Sequence, residues 1–303
     1  MPLRTSLRAT LALLALIAAA PAAATSMYIT SDASDLLRRY DPASGAFLGV
    51  FTASTFGPAG QLGVHFNATN TRLLVGHWGG GVQEFDAATG APIQVFAPGG
   101  GPQWGAVYTP WGNVFIGSWN TNDVREYDGT TGAFVRVLAS MSSPADMRYG
   151  PNGNLYVCSW MTGMVLEIDP VSGNILGATG PLPGGGRSND VVFLPNGEML
   201  VTAMGPDSVY RYSPGGALLG SFGGTGMASP HGIELDPVDG TIRVVSGGGQ
   251  QLHVFDPVTF AEITPSKLVP GPGDKIVDIA YGPDPQSTPV ERTSWGELKR
   301  RWR

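Results

Sequence analysis

One short phrase recurs six times along this chain, and it limits the possible folds more than any other feature. A strand-like segment with alternating polar and apolar residues runs into a turn: Leu36 to Tyr40 and Asp41-Pro-Ala-Ser-Gly45, then Val82 to Phe85 and Asp86-Ala-Ala-Thr-Gly90. It returns at Val124 with Asp128 to Gly132, at Val165 with Asp169 to Gly173, at Val209 with Ser213 to Gly216, and at Leu252 with Asp256 to Thr259. The anchors 41, 86, 128, 169, 213 and 256 are spaced by 45, 42, 41, 44 and 43 residues. A period near forty in a strand-rich chain points to a propeller or solenoid.

A second phrase precedes the first. Short apolar runs begin at Gly63, Gly105, Asp146, Asp190 and Gly232, and each lies 23 or 24 residues before the next anchor. Insertions therefore fall between units and not within them. Each unit parses into four strands, A to D. The Gly/Asp phrase is A, and a turn such as Pro151-Asn-Gly153 or Pro195-Asn-Gly197 follows it. B is β-branched or aromatic, as in Val114-Phe-Ile116. C is the anchor phrase, ending in Asx and Gly turn chemistry, and D is short. Four-stranded units repeated radially make a β-propeller.

The first strands, Met27–Thr30 and Leu36–Tyr40, form a B and a C with no A. The orphan A is Asp278-Ile-Ala-Tyr281. The chain is expected to be an all-β, six-bladed propeller over residues 25–285, closed by a C-terminal inner strand joining N-terminal strands.

The ends carry other signals. Arg4 and Arg8 precede an apolar run, Ala9 to Ala20, with Ala22-Ala-Ala24 as a small-residue cleavage site. Residues 1–24 read as a secretory signal peptide, and the run is too short to span a bilayer. Export follows as an expectation, with the periplasm, cell surface or extracellular space as the compartment. Beyond Pro285 a polar linker leads to Ser294-Trp-Gly-Glu297, a capping box. Trp295, Leu298 and Trp302 share one helical face, and Lys299, Arg300, Arg301 and Arg303 sit near its end. Residues 286–303 read as a short basic tail that either docks on its own propeller or on an envelope partner, or stays solvated.

Composition excludes some functions. There are 24 acids against 18 Lys+Arg, a net charge of −6, and removing residues 1–24 takes off two arginines and no acid. An acidic chain with no basic stripe is a poor nucleic-acid ligand. Cys158 is the only cysteine, so no internal disulfide forms, and its apolar strand context suits a buried inert thiol.

In a propeller, the loops entering A and leaving B share one face around the channel mouth. That places Trp78, Trp119 and Trp160, each just after a B strand, together with Trp104 before an A strand. The indoles either pack between blades or line a pocket for a sugar, a planar ligand or a partner side chain. Polar candidates at the same mouth are Gln103, Asn189 and His231. Asp146, Asp190 and Asp278 fill a slot that is Gly63, Gly105 and Gly232 elsewhere. They either accept backbone N–H bonds in place or hold Ca²⁺ or another divalent ion in the channel.

Segments such as Tyr149-Gly-Pro-Asn-Gly-Asn154, Leu155-Tyr-Val-Cys-Ser159 and Val124 to Phe134 resemble NHL-type repeats of secreted bacterial propellers. The wider kin are gluconolactonase/senescence-marker-type lactonases, strictosidine-synthase-like proteins and the amidating lyase. The lactonase resemblance implies an inward Glu, Asn and Asp holding a divalent metal at a lactone carbonyl. Asn189 and the three Asp are present, but no A strand opens with Glu, and Glu234 lies inside its strand. The lyase resemblance implies a zinc on three inner His, whereas of His65, His77, His231 and His253 only His231 occupies the matching position. No Gly-x-Ser-x-Gly elbow exists. The leading expectation is a non-catalytic binding module for an extracytoplasmic glycan, small molecule or protein. The alternatives are a divalent-metal-dependent, lactonase-like hydrolase and a structural envelope protein.

Overall fold

The computed structural model describes residues 25–53, 55–56, 60–263, 267–268 and 275–283. Residues 1–24, expected to form a signal peptide, and the basic tail at 286–303 lie outside the described residues. Among those described, every sheet has four antiparallel strands, and there are six sheets.

Blade 1 begins with β1 (Thr25–Ser31), β2 (Leu36–Tyr40) and β3 (Phe47–Ala53). Blade 2 is β4 (Gln61–Phe66), β5 (Arg72–His77), β6 (Val82–Asp86) and β7 (Pro92–Phe96). Blade 3 is β8 (Gln103–Tyr108), β9 (Val114–Ser118), β10 (Asp123–Tyr127) and β11 (Phe134–Ser140). Blade 4 is β12 (Pro144–Tyr149), β13 (Leu155–Ser159), β14 (Met164–Ile168) and β15 (Ile175–Ala178). Blade 5 is β16 (Arg187–Phe193), β17 (Met199–Met204), β18 (Ser208–Tyr212) and β19 (Leu218–Phe222). Blade 6 is β20 (Pro230–Leu235), β21 (Ile242–Ser246), β22 (Gln251–Phe255) and β23 (Lys267–Leu268). The last strand, β24 (Ile276–Pro283), returns to pair with β1, from Thr25 opposite Pro283 to Ser31 opposite Ile276. The expected six-bladed propeller and its closure by a C-terminal inner strand are both present.

The anchor phrase is a turn cap. Oδ1 of Asp41 accepts the Ser44 N–H, and the carboxylates of Asp86, Asp128, Asp169 and Asp256 accept the N–H groups two and three residues on. The Ser or Thr hydroxyl joins in at Ser44, Thr89, Thr131 and Thr259. These bonds hold the Asp86, Asp128, Asp169 and Asp256 carboxyls below the ordinary carboxylate range. A short polar side chain tying the C–D turn explains why the phrase is copied so faithfully.

Burial follows strand position. The B strands β5 and β9 are buried almost throughout, because both sheet faces meet a neighbouring blade. Between blades 3 and 4, for example, Val107, Phe115 and Val124 meet Leu155, Val157 and Ile168. The outer strands expose Phe47, Leu48, Phe134, Val135, Leu218 and Leu219. Cys158 is fully buried and unpaired, and burial pushes its thiol pKa up, away from the reactive thiolate.

The Gly/Asp slot joins neighbouring inner strands. Asp278 Oδ2 of blade 1 accepts the Val64 N–H of blade 2, at 2.7 Å, and Asp190 Oδ2 of blade 5 accepts the Ile233 N–H of blade 6, at 2.8 Å. A threonine completes each clasp. Thr30 donates to the Leu62 carbonyl and accepts from Asp278 N–H, while Thr202 donates to the His231 carbonyl and accepts from Asp190 N–H. In both cases the next blade has glycine in the slot, at Gly63 and Gly232.

The glycines are required by close approach. A Cβ on Gly232 would sit 2.3 Å from Asp278 Oδ1 and 2.7 Å from its Cα, whereas one on the outer-strand Gly177 would meet only Glu167 Oε2, at 3.7 Å. Overpacking of this kind costs about 1–3 kcal/mol. Gly232→Ala is therefore expected to lower the urea-unfolding free energy by about that amount, with Gly177→Ala near neutral. Equal effects of the two substitutions on the unfolding midpoint would refute the close approach of Asp278 to the Gly232 slot as a packing constraint.

Candidate functional site

The residues that start the inner strands and follow the B strands converge at one end of the channel. A cavity of about 440 Å³ opens there, among Asp32, Leu62, Trp78, Trp104, Trp119, Trp160, Met204, Ser229, His231, Gln250, Lys275 and Val277. Leu62, Trp104, His231 and Val277 each directly precede a slot residue, so they form its floor.

The cavity is divided by chemistry. Blades 2, 3 and 4 supply an aromatic wall: Trp104 lies 5.9 Å from Trp78 and 5.6 Å from Trp119, and Trp119 lies 6.0 Å from Trp78 and 4.9 Å from Trp160. Trp78 is 37% exposed while Trp104 is 6% exposed, so the wall runs from a free indole to an embedded one. The indoles thus pack on one another and line the cavity, and Trp119 and Trp160 also rest on the core. The Arg187 guanidinium lies 3.9 Å over the Trp160 ring and covers one of its faces.

Blades 5, 6 and 1 supply the opposite side. His231 stacks parallel to Trp104, with ring centroids 6.2 Å apart. Its Nδ1–H donates to the Ser229 carbonyl at 2.7 Å, which leaves Nε2 as an acceptor. Glycine at 247 admits the ring, since a Cβ there would lie 2.8 Å from His231 Nδ1. Burial lowers the imidazole pKa to about 4, the Ser229 carbonyl opposing and Lys275 reinforcing the shift. Asp32 and Trp160 line the cavity, and Asp32 Oδ1 and Trp160 Nε1 are buried without a hydrogen-bond partner in the protein. Burial raises the Asp32 carboxyl pKa, with Lys275 opposing.

The other anticipated residues lie elsewhere. Gln103 turns to Ser118 Oγ, at 3.3 Å, and Asn189 Nδ2 donates to the Pro230 carbonyl, also at 3.3 Å. Neither lines the cavity. A further indole, Trp111 in the β8–β9 turn, stands on the opposite face, where its N–H meets Glu126.

The three slot aspartates lie in the channel beneath the floor. Asp190 is clasped to blade 6 and faces Arg148 at 3.5 Å, and Arg148 pairs with Glu234 at 2.5 Å. Glu234, although internal to its strand, therefore does reach across the channel. Asp146 is not clasped to blade 5, whose slot is Asp190 and not glycine. It accepts the Met147 N–H and contacts His65 Nε2 of blade 2, each at 2.7 Å. Burial works most strongly against the Asp146 carboxylate, but His65, Arg148 and the Met147 N–H together hold its pKa below the usual range. Burial lifts Asp190 to about 7, with Arg148 opposing and Asp146 adding to the rise. Asp278 is pushed well above the usual range by burial and by its Asp146 and Asp190 neighbours.

Four residues here were not among the sequence candidates: His65, Arg148, Asp32 and Lys275. Three of them carried a signal. His65 and Arg148 lie two residues beyond their blades' slot positions, as Glu234 does in blade 6, and Asp32 follows a B strand in the register of Trp78, Trp119 and Trp160.

No protein-family model and no curated protein sequence matches the chain. Solved structures do. The chain is similar to one in the crystal structure of a nidogen/laminin complex, with TM-score 0.70 and 14% identity over 85% of this chain and 98% of that one. It is similar to a protein of unknown function from Bacteroides caccae, with TM-score 0.65 and 14% identity over the same shares. The WD40 propeller domain of Doa1 gives TM-score 0.61 and 13% identity, over 81% of this chain and 80% of that one. At these identities the likeness concerns the fold, and the class it defines is the six-bladed β-propeller.

The His231–Trp104 stack gives a direct readout of the site. An imidazolium quenches a stacked indole more than a neutral imidazole does. Because the folded-state pKa is below the unfolded value of 6.5, His231 stays neutral until the pH falls to about 4, and folding stability is lost as the pH drops from about 6.5 to about 4. Tryptophan fluorescence is expected to fall with a midpoint near pH 4, and the step should vanish in His231→Gln. A histidine-dependent midpoint near 6.5 would show that the ring is solvated.

Proposed function

We propose that this chain is an exported, non-catalytic binding propeller, and that its channel-mouth cavity takes a glycan. The observation that carries this reading is the split lining of the cavity: an indole wall on three consecutive blades, and on the other blades His231 and Asp32, each of which holds an unpaired acceptor, Nε2 and Oδ1. A pyranose ring has an apolar C–H face and a rim of hydroxyl donors, so it satisfies both halves at once. Trp160 Nε1–H offers a donor to a ring or hydroxyl oxygen. The volume of about 440 Å³ lies within the range of small-ligand sites.

Several features support this over the hydrolase alternative. The carboxylates of Asp146, Asp190 and Asp278 do not line the cavity, so a lactone held there would not touch them. Asp190 and Glu234 are engaged by Arg148. The repeat phrases support placing the chain beside secreted NHL-type propellers, and export rests on residues 1–24. No helix among the described residues is long and apolar enough to cross a membrane. The chain's likeness to a propeller crystallised in a nidogen/laminin complex agrees with a binding role.

The test is a glycan array followed by calorimetry on the bound sugar. Trp78 is the most exposed indole of the wall, so Trp78→Ala leaves the embedded stack in place. It is expected to weaken sugar binding at least tenfold, about 1.4 kcal/mol, and Asp32→Asn is expected to weaken it by a similar factor. Absence of any array signal, or unchanged affinity in Trp78→Ala, would overturn the assignment.

A further inference from the structure

Three side chains from three blades meet beneath the cavity floor. Donor atoms of His65 (blade 2), Asp146 (blade 4) and Asp278 (blade 1) all lie within 4.8 Å of one another, and all three residues are buried. Nothing in the sugar-binding reading uses them.

Among the described residues, the channel holds four carboxyl groups, on Asp146, Asp190, Glu234 and Asp278, and one permanently charged cation, Arg148. Arg148 serves Asp190 and Glu234. That leaves two carboxyls and one imidazole to balance one another. The Asp278 carboxyl is 2% exposed, and although Oδ2 accepts the Val64 N–H, Oδ1 has no hydrogen-bond partner. An orphaned, fully buried carboxyl oxygen beside a second carboxylate is costly unless a proton or a cation satisfies it.

We propose that His65 Nε2 and the Asp146 and Asp278 carboxylates bind one divalent transition-metal ion of the Zn²⁺ type. The donor set decides the class of ion. Ca²⁺ takes six to eight oxygens and little nitrogen, whereas one imidazole with two carboxylates suits Zn²⁺ and its neighbours. Asp190, which with Asp146 and Asp278 would have made an all-oxygen set, is held by Arg148 and by backbone N–H groups. Ligands bind Zn²⁺ at about 2.0–2.2 Å, so side-chain rotation of roughly an ångström brings the donors into range. Binding deprotonates Nε2 and replaces the present His65–Asp146 hydrogen bond. The ion would tie blades 1, 2 and 4 across the channel and stabilise the closed ring by mass action.

The test is calorimetric titration of the chelator-treated full chain with Zn²⁺ alone, with melting temperature recorded in parallel. The expected result is one equivalent bound, a raised melting temperature, and no displacement by millimolar Ca²⁺. Asp278→Asn keeps an acceptor for the Val64 N–H and should weaken Zn²⁺ binding at least tenfold, as should His65→Gln. His253→Gln, at the separate His253–Glu262 pair, should leave it unchanged. If Asp278→Asn does not fold, His65→Gln decides alone. The proposal is overturned by no stoichiometric Zn²⁺ uptake, by unchanged affinity in the folded channel variants, or by equal competition from Ca²⁺.

Discussion

Ring closure is the constraint on which the rest of this structure depends. β24 pairs with β1 over the full length of the N-terminal strand, so blade 1 exists only when both chain ends are in place. An open arc of blades would leave unpaired inner edges and an uncovered sheet face. Closure also brings Asp278 against Val64, more than two hundred residues earlier in the chain. The same act that completes the scaffold therefore assembles the channel.

Closure forces six inner strands around a narrow axis, and the slot residues settle how that crowding is relieved. Glycine lets a neighbouring strand approach, and aspartate reaches across to hold the next one. Where Asp is followed by Gly in the next blade, as at 278 to 63 and 190 to 232, a carboxylate–amide clasp forms. Where Asp is followed by Asp, at 146 to 190, the first carboxylate turns instead to His65 across the channel. The order of Gly and Asp around the ring thus determines where charge accumulates.

The fold was legible in the sequence because its signals are local. The anchor Asp caps its own turn within three residues, and each blade repeats that chemistry. The Trp wall was legible for a related reason, since position after a B strand puts a side chain at the mouth whatever its neighbours are. The channel network was not. His65, Arg148 and Glu234 are interior positions of ordinary-looking strands, and they meet only across the axis, two blades apart. Asp32 and Lys275 meet only because the two ends of the chain close on each other. Register two beyond the slot would have pointed to the first three, and Asp32 shares the after-B register of the tryptophans, whereas nothing in the repeat pointed to Lys275.

A sixfold scaffold would by itself give a cavity with six equivalent walls and no orientation. The mouth departs from that symmetry in a definite way. Tryptophans cluster on blades 2, 3 and 4, and the unpaired acceptors fall on blades 6 and 1, so the two classes of contact face each other across the channel axis. An arrangement of this kind binds poorly to anything uniformly apolar, because Asp32 and His231 would lose water without gaining a partner. It also binds poorly to a compact ion, which the indole wall cannot solvate. Under the proposed binding role, a ligand with one apolar face and one hydroxylated edge would gain on both sides, and the floor residues would hold it one layer above the buried charges of the channel.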